Sequence, residues 1–278
     1  MKRLLCVMLL VLQMDFASAE GLQVIAGEPQ FVFEGSKQSV PVTFRNNGDK
    51  EITAEIRILL VQESSATTMA IGESRPWKTL RVLAGQTVLE TVSVDLPAIR
   101  ATTSFQLRCL DVKSNELGKI SLRVVPRDLL KQLSKLGGDK AIGVLDPADE
   151  LKPLLKAAGV EFYDLETGSG FDGFEGKLAI VGPFVENKSL PENLRTRLVA
   201  RAKRTPSAII LILPPSVQMD PFPPIYLVRE SSSTIAVLQP KAVSSITNSP
   251  QAQFHLIRAA QMALDPDSLR LPRFEPHE

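Results

Sequence analysis

Ala208-Ile209-Ile210-Leu211-Ile212-Leu213 is an unbroken apolar run closed by Pro214-Pro215. A strand of this kind has both faces covered, as in the interior of a parallel sheet flanked by helices. Working outward, residues 141–145, 160–165, 178–181 and 234–238 read as further strands, and helical signals lie between them. Asp146-Pro147 reads as a helix cap with proline at the first position and Asp149 in the first turn. Leu151, Leu154, Leu155 and Ala158 form that helix's inner face, and Gly159 ends it. Ser189-Leu190-Pro191-Glu192 is a capping box ahead of the stripe Leu194, Leu198 and Ala202. Ser249-Pro250 opens a last helix presenting Phe254, Ile257, Ala260 and Leu264. The alternation predicts a doubly wound, three-layer α/β domain over residues 140–278.

Upstream the period changes from helical to two. Val40, Val42 and Phe44 alternate with polar neighbours, then comes the turn Asn46-Asn47-Gly48-Asp49, then Ile52, Ala54, Ile56, Ile58 and Leu60. A hairpin accounts for this best. Residues 77–82 and 88–96 flank the turn Ala84-Gly85-Gln86, and residues 105–112 and 119–125 pair across 113–118. About seven short strands without a helical stretch predict an all-β sandwich over residues 20–126. Pro126 ends the last strand, and Leu129, Leu130, Leu133 and Leu136 mark an amphipathic linker over residues 127–139, stopped by Gly137-Gly138.

The first nineteen residues read as an export signal. Lys2 and Arg3 precede the apolar run of residues 4–12, and Ala17-Ser18-Ala19 places small residues where a signal peptidase cuts, between Ala19 and Glu20. The expected location is extracytoplasmic, periplasmic or secreted. No stretch approaches the roughly 20 apolar residues of a membrane span, so membrane insertion is not expected. The whole chain has a formal net charge of +1, and removal of Lys2, Arg3 and Asp15 brings it to zero. Long-range attraction to nucleic acid or anionic lipid is therefore not its principle of action. Cys6 lies in the leader, which leaves Cys109 alone and excludes an intramolecular disulfide.

Both halves resemble known families. Val40-Pro41-Val42-Thr43-Phe44-Arg45-Asn46-Asn47-Gly48, together with Ala84-Gly85-Gln86 before a strand ending in Leu96-Pro97, resembles the immunoglobulin-like sandwiches that accompany glycoside hydrolases. Lys177-Leu178-Ala179-Ile180-Val181-Gly182-Pro183, followed by a helix and then residues 208–215, is similar to the central strands of the class I glutamine amidotransferase-like, flavodoxin-like fold. Active members of that family carry a nucleophilic cysteine on a sharp turn, with a histidine and an acid nearby. Residues 126–278 contain no cysteine, so the resemblance implies a catalytically empty version.

The individual residues are read as follows. Cys109 shares strand parity with Phe105 and Leu107, which makes it a core residue rather than a reactive thiol. Ser216 follows Pro214-Pro215 at a strand's carboxyl end but lacks the Gly-x-Ser-x-Gly elbow of a serine nucleophile. Thr167-Gly168-Ser169-Gly170 lacks the ending of a phosphate loop and reads as a flexible turn. His255 could approach Asp220 or Glu230, yet one histidine is not a metal signature, and His277 sits on a tail. A pair of glycosidase carboxylates cannot be chosen by spacing, because such acids lie about 5 to 9.5 Å apart on different elements. Asp146, Gly182, Glu186 and Ser216 are the candidate ligand-binding set, since open α/β sheets bind ligands at the carboxyl ends of their strands. The proline-rich loop of residues 214–224, with Phe222, reads as an edge hairpin or an interaction surface.

No catalytic residue, metal or cofactor is expected. The function expected is a non-catalytic binding or scaffolding protein contacting an envelope protein or a polysaccharide. The alternative is a carbohydrate-active hydrolase or amidohydrolase using carboxylates at the α/β strand ends.

Overall fold

The computed structural model describes residues 21–64, 66–167, 170, 173–185, 193–204, 207–217, 223–230 and 233–267. The leader, Glu186, the capping box of residues 189–192, Asp220, Phe222 and His277 lie outside them. The chain divides into two compact units, each with its own core. The first comprises the segment up to Gln30 with residues 34–98 and 102–124; the second comprises residues 31–33, 99–101 and the chain from Val125 onward.

The first unit is built on β1 (Leu22–Val24), β3 (Gly35–Asn46), β4 (Ile52–Glu63), β5 (Thr68–Ala70), β6 (Arg75–Val82), β7 (Thr87–Leu96), β8 (Thr103–Leu110) and β9 (Glu116–Val125); β2 (Gln30–Phe33) interrupts this series. One antiparallel sheet has the order β1-β3-β7. In a second sheet β8 lies between β9 and β4, and β4 pairs β5 and β6 on its other side. The alternation read from sequence is real: Val40, Val42 and Phe44 are fully buried, as are Ile56 and Cys109. The pairing read from sequence is not. β3 and β4 form no hairpin, because β3 pairs β1 and β7 whereas β4 pairs strands of the other sheet. Asn46 stands at this crossover. Its Nδ2 donates to the carbonyls of Lys50 at 2.8 Å and of Val82 and Leu83 at 3.1 Å, and its Oδ1 accepts the Gly48 N–H at 2.8 Å. A fully buried amide thus ties the end of one sheet to the end of the other.

The second unit carries a six-stranded sheet, order β11-β10-β12-β13-β15-β14. Its strands are β10 (Ile142–Leu145), β11 (Phe162–Asp164), β12 (Leu178–Val181), β13 (Ala208–Ile212), β14 (Ile225–Glu230) and β15 (Ser233–Leu238). The pairs linking β11 through to β15 are parallel, while β14 closes one edge antiparallel to β15. Every residue of β10 and β12 is buried, as continuous apolar runs require. One face packs on α1 (Gln132–Gly137), α2 (Leu151–Ala157) and α4 (Pro250–Leu264); the other packs on α3 (Leu194–Arg204) through Leu194, Leu198 and Ala202.

This corrects the expected fold class. The chain is not a self-contained all-β sandwich followed by a doubly wound three-layer α/β domain. Residues 31–33 and 99–101, which fall inside the expected sandwich, belong to the second unit. The reason is apolar: Phe31 and Phe33 pack against the core that holds Leu256 and Ile257, and the Phe31 ring lies 5.2 Å from that of Phe254. The α/β sheet is mixed rather than parallel, and α1 and α2 are only six and seven residues long. Leu129, Leu130 and Leu133, in the expected linker, are buried in the second unit's core. Alternation reports which face a residue occupies but not which core receives it.

Candidate functional site

The carboxyl ends of β10, β12, β13 and β15 meet at one edge of the second unit's sheet. Asp146 follows β10 and is 2% exposed. Its Oδ2 accepts the N–H groups of Leu151 at 2.7 Å and Lys152 at 2.8 Å, while Oδ1 has no hydrogen-bond partner among the described residues. Capping is therefore done from a distance. The helix begins at Leu151, not at Pro147, and its adjoining residue Glu150 makes no side-chain cap. Between them Asp149 turns back to the Asp146 carbonyl at 3.0 Å with φ 54°, which places it ahead of the helix rather than in its first turn. Burial pushes the Asp146 carboxyl above the usual carboxylate range, outweighing the backbone N–H groups and Lys152, which pull it down.

Beside Asp146 runs a small ionic network. The Asp146 N–H donates to Glu166 Oε1 at 2.6 Å; Lys152 Nζ lies 3.1 Å from that same oxygen and 3.0 Å from Asp164 Oδ1. Burial opposes the Lys152 charge, but its bonds to Asp164 and Glu166 prevail and raise its affinity for the proton. The network clasps the ends of β10 and β11 together.

Gly182 follows β12 and has a structural task. Its N–H donates to the Leu145 carbonyl at 2.8 Å, its φ is 104°, and a Cβ there would stand 2.9 Å from both Cβ and the carbonyl oxygen of Ile212. Only glycine lets β12 leave so close to β13. Ser216 sits exposed in a turn in which the Val217 N–H reaches the Pro214 carbonyl at 2.9 Å. Glu186 lies outside the described residues.

The cavity at this edge, about 340 Å³, is lined by none of Asp146, Gly182 and Ser216 but by their neighbours. Phe184, Ile212, Leu213 and Val243 supply apolar wall, Pro183, Pro215 and Pro240 rigid wall, and Glu150, Lys241, Ser244 and Ser245 the polar groups. Ser245 holds φ 54°, an uncommon conformation for a non-glycine residue, while its carbonyl accepts N–H groups from Asn248 and Ser249 at 2.9 Å. The candidate set of Asp146, Gly182 and Ser216 ends one strand short of the cavity. The rule that selected the ends of β10, β12 and β13 applies equally to β15, and Pro240, Lys241, Ser244 and Ser245 follow it.

The remaining candidates are engaged elsewhere. Cys109 is fully buried in β8, where burial, and then the charge of Glu116, push its thiol up to about 12. His255 faces the Ala242 carbonyl with Nδ1 at 3.0 Å, and burial depresses its pKa against that hydrogen bond. Asp220 and the Glu230 side chain, its expected partners, fall outside the described residues. Among the described residues no group of three or more His, Cys, Asp or Glu side chains could hold a metal ion, and no helix is long and apolar enough to cross a membrane.

No family model matches the chain, and no curated protein matches it. Solved structures are similar to about a third of it. Alkylpurine DNA glycosylase AlkC of Pseudomonas fluorescens is 9% identical with a TM-score of 0.29, covering 37% of this chain and 30% of the glycosylase. A β-glucosidase of Listeria innocua is 14% identical with a TM-score of 0.27, covering 37% and 16%. The secreted serine protease VesC of Vibrio cholerae is 13% identical with a TM-score of 0.24, covering 38% and 23%. The matched stretch thus spans less than a third of each of these proteins. Likenesses at this level carry no functional argument, and the two family resemblances read from the sequence gain no support from them.

Proposed function

We propose that this chain is a non-catalytic binding protein working outside the cytoplasm, where it contacts an envelope protein or a polysaccharide through the strand-end cavity of its second unit. The observation that carries this reading is the chemistry of that edge. Its buried carboxylate, Asp146, has Oδ2 taken by the Leu151 and Lys152 amides and does not line the cavity, whose apolar and proline walls carry hydroxyl, ammonium and carboxylate groups for recognition. Such a lining suits orientation of a bound group rather than its activation. A cavity of about 340 Å³ is at the lower end of ligand-site sizes, which fits one protruding side chain or one sugar ring of a larger partner. The extracytoplasmic part rests on Lys2, Arg3, the apolar run and Ala17-Ser18-Ala19.

The hydrolase reading has less behind it. Glu166 accepts the Asp146 N–H, but its Oε1 and Asp164 Oδ1 are both held by the Lys152 ammonium.

The test is affinity capture from the envelope and secreted fractions of the producing cells, with identification by mass spectrometry, repeated with Ser244→Trp. Ser244 is exposed at the cavity, so the indole closes it without entering the core. A protein or glycan retained by the native chain and lost with the variant is the expected result. A hydrolytic turnover by purified protein that a single substitution abolishes overturns the proposal.

A further inference from the structure

The edge of the first unit's second sheet is broken. β4 pairs β6 along Ile52 to Ile58 and β5 along Val61 to Glu63, and between those two stretches residues 71–74 leave the sheet after a last bond from the Ile71 N–H to the Leu60 carbonyl at 2.8 Å. Arg57 fixes the detour: its Nη2 donates to the Ser74 carbonyl at 2.8 Å, and Nε and Nη2 both lie 3.3 Å from Ser74 Oγ. Across the break runs β7 of the other sheet, held by Arg75 Nη2 on the Ser93 carbonyl at 2.9 Å. A missing stretch of edge strand, with its flanks pinned, opens a window onto the core.

Behind that window is a cavity of about 220 Å³. Its floor is Ile58, Leu60, Val94 and Leu107, none more than 8% exposed. Water on such a floor finds no polar partner, and apolar cavities of about 150 Å³ are already large enough to take a benzene ring. The mouth is polar, and most of its groups are spoken for. Arg75 is bound to Ser93, and Asp95 Oδ1 accepts the Lys37 N–H at 3.0 Å. Glu73 is exposed, and its carboxylate makes no hydrogen bond or ion pair among the described residues. The Arg57 and Arg75 guanidinium groups are held on Ser74 and Ser93, so Glu73 is the charged group of the mouth left to meet a ligand. At Gly72 a Cβ would meet nothing within 4 Å, so the lip beside Glu73 is unobstructed.

We propose that this cavity is a binding site for a small cationic amphiphile, whose short unbranched alkyl chain enters between β4, β7 and β8 while its ammonium head pairs with Glu73. The site lies wholly in the first unit and does not depend on the strand-end cavity. An apolar floor rewards the chain for leaving water in proportion to the area it buries, and the free carboxylate selects the sign of the head.

The probe is n-octylammonium, with octanoate as the chain-matched anion, both below their micellar concentrations. They are titrated into the full chain bearing labelled Ile, Leu and Val methyl groups and followed by NMR. Octylammonium is expected to give saturable shifts centred on Ile58, Leu60, Ile71, Val94 and Leu107, and to bind more tightly than octanoate. Glu73→Lys, an exposed change, is expected to weaken octylammonium by about two- to fivefold and to favour octanoate. Ile71→Trp, which fills the window from its partly exposed rim, is expected to abolish the saturable shifts for both. Unsaturable shifts spread over both units, equal binding of the two probes, or a response untouched by Glu73→Lys overturns the proposal. Should Ile71→Trp fail to fold, the reversal of preference by Glu73→Lys decides alone.

Discussion

Replacing Asn46 by aspartate separates two accounts of the crossover between the sheets of the first unit. Asn46-Asn47-Gly48-Asp49 has turn composition, and in an ordinary turn aspartate substitutes for asparagine at little cost. Here the side-chain nitrogen faces three carbonyl oxygens, those of Lys50, Val82 and Leu83, while only Oδ1 accepts, from Gly48. Asn46→Ala deletes all four contacts at a fully buried position. The two N–H protons shared among three carbonyls and the one bond accepted by Oδ1 amount to about three hydrogen bonds, and at about 1 kcal/mol net each the expected loss is about 3 kcal/mol. Asn46→Asp keeps the Gly48 contact yet aims an oxygen at three others, so it is expected to cost about 4 kcal/mol, more than deletion. That loss deepens as pH rises above about 4, where an ordinary aspartate ionises. Trp77, the single tryptophan, stacks on Phe44 with ring centroids 6.0 Å apart and reports this unit's unfolding in urea. An Asn46→Asp protein within about 0.5 kcal/mol of the native chain, a range typical of surface changes, refutes the reasoning.

Three further expectations concern Gly182, Cys109 and His255. Gly182→Ala forces a Cβ to 2.9 Å from Ile212 at φ 104°, and a loss of about 3 kcal/mol is expected by thermal or urea unfolding. Cys109, with its thiol pushed up to about 12, is expected to resist iodoacetamide at about pH 8 in the native protein and to react once urea unfolds it, as mass spectrometry would read. His255 is held below its ordinary value of 6.5 by burial, so its contribution to stability is complete above that pH and is lost as pH falls toward the folded value. His255→Gln is expected to flatten the decline in urea midpoint between about pH 7 and pH 5.

The strands were easier to read than the architecture. Val40, Val42 and Phe44 show their alternation plainly, and the buried runs of β10, β12 and β13 lie where apolar composition puts them. What alternation lacks is a partner. Ile52 to Leu60 reads as the return arm of a hairpin because the turn before it is short, and nothing local reveals that Asn46 sends the chain into another sheet. Phe31 and Phe33 read as strand residues of the nearest core, yet their burial is bought with α4, near the far end of the chain. At the candidate site, Asp146 was legible as a capping residue, but the helix it serves starts at Leu151, because the Asp149 turn lengthens the approach. The cavity residues Lys241, Ser244 and Ser245 carry no motif. They become visible only once β15 is placed in the sheet.

The assignment of residues 31–33 to the second unit has a consequence for synthesis. A chain made from its amino end presents Phe31-Val32-Phe33 well before Phe254. Contacts between such distant segments close late, because loop entropy must be lost before they form. Until α4 emerges, these apolar side chains lack their final cover and are open to chaperones or to neighbouring chains. Completion of the second unit therefore waits on α4, and a chain stopped before Pro250 leaves residues 31–33 without the helix that covers them.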